Sequence, residues 1–463
     1  MDHPNLIFFG VDSLSAKRMS MYGYGRLNTP HISEFFSNGA VFENCFSPSI
    51  PTTPGYASML TGMDCFSTNI VALRHIGGIA DGIKTLPEIL SENGYETSCV
   101  GYEHFRGFDN YFKFAGWGSW AEGRSRKAEN LNEAALPELA RLAGNNNPFM
   151  LFMRHMDPHS PYLPPEPFDR MFYQGDEFDK KNKSLEPVYN FKPFADYVRS
   201  WFPPGCSDAE YIAAQYDSAI AYMDACVRAI FEKIKNLGLM KNTVVVFTAD
   251  HGETLCEHDC FFDHHGLYET NLRVPLAFWR DGIFKSGARF GGICCLKDVT
   301  PTVLSLMGIK TEINFDGRDL SPLFYGSKIK KANEIYLTEA TWMRKHGLRT
   351  PEWKYIEALE PDFHYFPPEE LYDLINDPDE KNDLAAARPE VVKKLKTKMR
   401  RFIKKREIET GRTAPIYTNT DWSGHGRTFE SSDDAYNTLK IGDPAVAKKL
   451  NGRNFERIPF KKP

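Results

Sequence analysis

The sequence has no long hydrophobic run. Its opening stretch, MDHPNLIFFGVDS, carries an acidic residue at once and only a brief apolar segment, too short for a signal-peptide core or a membrane span. The expectation is a soluble, cytoplasmic chain with no membrane partner. A dominant charge is missing as well: 56 Lys and Arg stand against 61 Asp and Glu in 463 residues. Nothing in the overall charge calls for nucleic acid, so any anion site must be local. CxxC spacing is absent too. The nine cysteines are odd in number and include the adjacent pair Cys294 and Cys295, which argues against a disulfide framework and against a zinc cluster defined by spacing. Most of them read as small core residues. Internal repeats and low-complexity tracts do not occur. At this length the chain can bury a large core and leave room for a second, smaller domain.

What is present is an alternation. Apolar runs rich in β-branched and aromatic residues, NLIFFGV, ETSCVGY, FMLFMRH and NTVVVFTAD, are separated by helix-like segments such as KTLPEILSENG. That pattern predicts an α/β fold, a mostly parallel central sheet flanked by helices. From Asp208 to Leu237 apolar residues recur at three-to-four spacing through Ile212, Tyr216, Ile220, Met223, Val227, Ile230 and Ile234, and the pattern stops at Gly238. It predicts one long amphipathic helix. After about residue 345 the character changes, so the expected organisation is an α/β domain over 1–345, a small strand-and-helix subdomain over 346–405, and an arm or tail over 406–463. The tail's polar composition suits either disorder or an arm that wraps the body or a neighbouring subunit of a homo-oligomer.

In open α/β sheets, ligands gather beyond the carboxyl ends of the strands. Polar residues that follow the buried runs at once are therefore the first site candidates. Asp12 follows the first run, His104 comes just after ETSCVGY, His155 and His159 follow FMLFM, and Asp250 with His251 follow VVVFTA. A carboxylate and an imidazole presented together in TADHGE suit hard and borderline cations alike. A second carboxylate from Asp12 makes a metal site plausible where either alone would be only a turn cap.

The stretch SIPTTPGYASMLTG resembles the signature of the sulfatase family, in which CxPxR or SxPxR precedes a segment ending in LTG. With Leu60, Thr61 and Gly62 fixing the register, Thr52 falls on the cysteine or serine that the family oxidises to formylglycine. Tyr56 takes the place of the signature's arginine, and Ser13 that of a second aspartate after the first strand. Other elements resemble the family in the same order: GYEHF keeps His104 but has Tyr102 for a lysine, and DPHSPYLPP carries His159. DHHGLYETNLRVPL resembles the element with a cationic substrate contact, for which His265 is the candidate. DVTPTVLSLMGI, FDGRDLSPL and ELYDLINDPDEKNDLA extend the resemblance to about Ala385.

The resemblance implies a catalytic domain of the sulfatase and alkaline phosphatase type. Asp12, Asp250, His251 and the nucleophile Thr52 would surround one divalent cation (manganese, zinc or calcium), with His104, His159 and His265 as catalytic groups around the transferred group. Tyr56, Tyr102 and His155 are the expected substrate contacts, and Trp117, Trp120, Trp201 and Phe202 offer either an aromatic wall or plain packing. A formylglycine hydrate can expel sulfate by carbon–oxygen cleavage, whereas threonine has no second hydroxyl for that exit. Attack of water at the central atom is then needed, which metal-held phosphorus tolerates. Neutral Tyr56 and Tyr102 further suggest a singly charged ester. The expected function is hydrolysis of a small-molecule phosphate or phosphonate ester through Thr52. The alternatives are a sulfuric ester hydrolase and an inactive relative that binds an anion.

Overall fold

The computed structural model describes residues 3–420 apart from 74–76, 104, 117–124, 146, 331, 342, 360, 361, 363 and 365. His104, Trp117, Trp120 and most of the expected tail lie outside the described residues.

The four apolar runs form adjacent strands. In chain order the first sheet takes β1 (Asn5–Val11), β2 (Ala40–Phe46), then, after the short β3 (Ser49–Ile50), β4 (Glu96–Val100), β5 (Asn110–Phe112), β6 (Phe149–His155), β7 (Thr243–Ala249), β8 (Arg273–Val274), β9 (Leu276–Arg280) and β10 (Ala288–Cys295). Their order is β10-β2-β9-β7-β1-β6-β4-β5, with β8 on β2. Strands β7, β1, β6, β4 and β5 run parallel, and β9 joins antiparallel to β7 and β2. Every residue of β1 and β7 is buried, as expected of strands covered by helices on both faces. The register makes their carboxyl ends flush, Val11 lying opposite both Ala249 and His155. Asp12 and Asp250 therefore leave the sheet side by side.

The predicted long helix is Ala209–Asn236, capped by Asp208, whose side chain accepts from Glu210 N at 2.9 Å. Its Tyr216 hydroxyl donates to Ser13 O at 2.7 Å and accepts from Ser15 N at 3.1 Å, fixing the turn after β1. That turn is strained: Ser13 takes φ 60°, a left-handed conformation that costs an ordinary residue roughly 1–2 kcal/mol. The Ser13 N–H donating to Asp250 Oδ1 at 3.1 Å helps hold it. No helix among the described residues is long and apolar enough to cross a membrane. All nine cysteines are free, eight of them buried, in keeping with the core reading.

A second sheet, β14-β13-β12-β11-β3, is built from β11 (Ile335–Ala340), β12 (Arg344–Arg349), β13 (Trp353–Ala358) and β14 (Glu369–Asp373). It begins ahead of residue 345 and takes β3 from the N-terminal region, Thr338 pairing with Ser49 and Glu339 with Ile50. Helix Pro389–Thr410 covers it with Val392, Leu395, Met399 and Ile403. The helix Thr52–Thr61 starts just after β3 and stops at Gly62, φ 72°, so Thr52 stands where the two sheets meet. Residues Glu186–Asn190 and Lys192–Trp201 form two short helices, each with Pro near its first turn. Trp201 and Phe202 are 2% and 3% exposed against Tyr162 and Phe262, so these two aromatics are packing and not a wall.

Glu269 holds the sheets together. Arg349 Nε and Nη2 each donate to it at 3.1 Å and Lys354 Nζ lies 2.8 Å away, while Lys354 also pairs with Glu380 at 2.6 Å. Burial pushes the Glu269 carboxyl up, but Lys354 and Arg349 outweigh it and bring it down to about 2 from 4.5. A depressed carboxyl stabilises the fold above its unfolded value and loses that contribution as pH falls through its folded one. Stability is thus expected to drop between about pH 4.5 and pH 2. Glu269→Gln should cost roughly 3 kcal/mol at neutral pH, the lower end for breaking a buried pair because Glu380 still meets Lys354. Urea midpoints at pH 7 and pH 3 check both: the variant should lose less than the parent between them.

Candidate active site

The flush strand ends bring four expected residues together. Asp250 Oδ1 accepts from Ser13 N and His251 N, at 3.1 and 2.7 Å. Its Oδ2 is buried without a hydrogen-bond donor and lies 3.3 Å from His251 Nε2. His251 Nδ1 donates to Gly252 O at 2.8 Å, which leaves Nε2 unprotonated and 3.2 Å from Thr52 Oγ1. The helix of Thr52 reaches this close because residue 55 is glycine; a Cβ there would stand 2.7 Å from Asp250 O. Burial, with His264 nearby, keeps His251 well below its usual value and neutral. Burial and the charge of Asp12 push Asp250 well up, an unfavourable state that a cation would relieve.

Asp12 faces a different group. Arg154, from β6, embraces it with both Nε (2.8 Å to Oδ1) and Nη2 on Oδ2, and the Tyr56 hydroxyl donates to Oδ1 at 2.7 Å. Burial raises the Asp12 carboxyl, yet Arg154 holds it below the usual range. The guanidinium lies 4.5 Å from the Tyr102 ring centre and 5.6 Å from that of Tyr56, positions at which stacking adds to its binding. Tyr56 and Tyr102 therefore cradle a cation, and the expected neutral lining is corrected: positive charge is restored from a different strand. Arg154 keeps 18% of its side chain exposed while that of Asp12 has none, so the guanidinium, and not the carboxylate, reaches solvent.

His159 lies on the same side, its ring 5.2 Å from that of His264. Its Nδ1 donates to Ser160 O at 2.7 Å, and burial together with His264 brings it down to about 4. Lys127, itself buried, donates to His159 O at 2.6 Å and lies 3.4 Å from Asp157, anchoring the loop that carries His159. Two expected residues belong elsewhere. His155 is fully buried, stacked 5.9 Å from Phe9; side chains alternate along a strand, so Arg154 faces the site and His155 the core, where it is no substrate contact. His265 points to the second sheet, its Nε2 sharing a 2.7 Å hydrogen bond with His364 Nε2.

The histidine at the site is its neighbour His264, stacked on His251 at 4.5 Å. Burial opposes its charge, but Asp263 at 3.2 Å and Glu253 at 3.8 Å raise it to about 9. Sequence reasoning missed Arg154, His264 and Lys127. The signal for Arg154 was a charge inside the otherwise apolar FMLFMRH, since a buried-strand arginine needs a carboxylate partner.

The donor set fits a divalent cation. Asp250 Oδ2 lacks a donor, and His251 Nε2 is held in the ligating tautomer by a backbone carbonyl, as metal-bound histidines are. Thr52 Oγ1 lies beside them, whereas both oxygens of Asp12 are engaged by Arg154 and Tyr56 and would have to turn from Arg154 to join the set. Glu253, Asp263 and His264 bring one ligand atom each within 4.8 Å of one another, a neighbouring group in which the His264 charge is met by the two carboxylates.

Fold and site together define an ester hydrolase of the alkaline phosphatase superfamily. The sulfatase family model matches residues 4–309, and that of the N-sulphoglucosamine sulphohydrolase C-terminal region matches 256–405. The chain belongs to the sulfatase family, whose members depend on a divalent cation. It is 26% identical to arylsulfatase K of Bos taurus over 87% of this chain and 82% of that protein. Against the N-acetylglucosamine-6-O-sulfatase of Bacteroides thetaiotaomicron it is 24% identical over 86% of this chain and 85% of the relative. A solved structure described as a complex with its substrate D-glucosamine-2-N,6-O-disulfate superposes with a TM-score of 0.69 at 20% identity, covering 90% of this chain and all of the other. The phosphonate monoester hydrolase of Agrobacterium radiobacter gives 0.67 at 18% identity over 87% and 96%.

Proposed function

We propose that the protein hydrolyses a sulfate ester on a small sulfated sugar. The observation that carries this reading is the sulfatase-family match over residues 4–309, with Thr52 beside the donor atoms of Asp250 and His251. Arg154 adds a cation paired with Asp12, but a sulfate monoester and a phosphate diester carry the same single charge, so it does not choose between them. The names of the relatives, arylsulfatases and sugar sulfatases, favour the same class. Asp12, Asp250, His251 and Thr52 would hold the cation, with manganese, zinc and calcium all compatible with an oxygen-and-imidazole set. When bound, the cation supplies Lewis acidity, lowering the pKa of the Thr52 hydroxyl and drawing charge from the ester.

The chain's own groups do the rest. Thr52 Oγ1 attacks sulfur, the bond to the sugar oxygen breaks, and that oxygen takes a proton, leaving a Thr52 sulfate ester. His264, held beside His251 and His159 with Nδ1 toward Asp263, has its Nε2–H left as the proton donor to the departing oxygen. Water then attacks the same sulfur, releasing hydrogensulfate and restoring the hydroxyl.

A phosphoester or phosphonate ester hydrolase is the second reading, and Thr52 is what favours it, since phosphorus accepts the second attack more readily. Matched nitrophenyl sulfate, phosphate, phosphate diester and phosphonate esters, together with glucosamine 6-O- and N-sulfates, separate the two. A sulfated compound is expected to give the highest kcat/KM in metal-loaded protein. A phosphorus ester ahead of every sulfate by tenfold or more would reverse the assignment.

A further inference from the structure

Outside the active site, three side chains are arranged as a ligand set that ester cleavage does not use. Cys260 and His265 lie on the segment between β7 and β8, and His364 on the connection between β13 and β14. All three are buried, and one ligand atom from each falls within 4.8 Å of the others. The two imidazole Nε2 atoms are 2.7 Å apart. The His364 ring is fixed between Phe191 and Phe366, at 4.6 and 5.0 Å.

We propose that Cys260, His265 and His364 form a second metal site, taking zinc or another thiophilic divalent cation, which clips the loop of His264 to the second sheet. A tetrahedral zinc with nitrogens at about 2.0 Å and sulfur at about 2.3 Å needs its ligand atoms about 3.3–3.7 Å apart. The imidazoles must open and the thiol close by no more than roughly an ångström, within reach of small side-chain rotations. One thiolate with two imidazoles selects zinc over calcium or magnesium, in contrast to the oxygen-rich active site. Asp263 Oδ2 stands 3.8 Å from His265 Nδ1, on the side where a ligand histidine commonly meets a carboxylate. The same Asp263 pairs with His264 through Oδ1, so the metal would fix the carboxylate that orients an active-site imidazolium. No other cysteine of the described residues joins a converging group of three.

The test is cobalt titration of the full chain after removal of bound metal, followed by absorption spectroscopy. A thiolate-to-cobalt charge-transfer band should rise to saturation at one equivalent of sulfur-bound cobalt per chain. It should vanish in Cys260→Ser, weaken in His364→Gln and persist in Asp250→Asn, because the active site offers no sulfur. Wild-type protein that binds cobalt without the band overturns the proposal, and that arm holds even where a variant does not fold. A band unchanged in folded Cys260→Ser overturns it equally.

Discussion

Thr52→Ala is expected to lower kcat on the preferred ester by about a thousandfold or more, the usual consequence of removing a nucleophile. The reason is local. Thr52 Oγ1 stands 3.2 Å from His251 Nε2, whose other nitrogen is committed to Gly252 O, so the hydroxyl oxygen and the imidazole nitrogen offer their lone pairs to one point, where a bound cation would acidify the hydroxyl. Alanine leaves the first turn of the helix and its buried face intact, so the loss should appear without a shift in the urea midpoint. Thr52→Ser keeps the oxygen and should recover most of the rate. Mass spectrometry of quenched reactions should find a sulfate on Thr52 if the second step is the slower. An alanine variant within a few fold of the parent would mean that the site activates water directly, and Thr52 would then be a ligand only.

How much of this was legible beforehand follows from what periodicity and position can encode. Buried parallel strands need continuous apolar runs, so β1, β4, β6 and β7 announced themselves, and the long helix showed its spacing from Ile212 to Ile234. Asp12, Asp250 and His251 could be placed side by side in advance because strand ends are fixed points in such a sheet. What failed was direction. His264 and His265 are adjacent, and only the packing against His251 on one side and His364 on the other decides which turns toward Thr52's neighbour His251. Arg154 and His155 pose the same problem one strand away. Tyr56 and Tyr102 read as losses of charge because the guanidinium that replaces it comes from β6, distant in sequence. Nor does any spacing rule link Cys260 to His364, which only the meeting of two sheets brings together.

Arg154→Met should reduce kcat/KM for sulfate esters by about a hundredfold to a thousandfold, the range for losing one preorganised donor to developing negative charge. Methionine preserves the length that lies on Tyr102 and Tyr56 but leaves Asp12 with the Tyr56 hydroxyl alone. Asp12 then loses the partner that holds its carboxyl low, so its affinity for a divalent cation should rise. The two effects oppose each other in a rate measured at limiting metal. At saturating metal only the lost contact with the ester remains. Arg154→Lys is expected to recover part of the rate, because an ammonium supplies charge but not the two-point fork that grips Asp12. The informative comparison is therefore kcat/KM at saturating metal beside the metal dissociation constant. If the rate stays within a few fold while metal binds more tightly, Arg154 is a competitor for Asp12 and not a contact of the ester. The charge that meets the sulfate would then come from His264, and the sulfate assignment would rest on the family's habit without a residue of this chain to explain it.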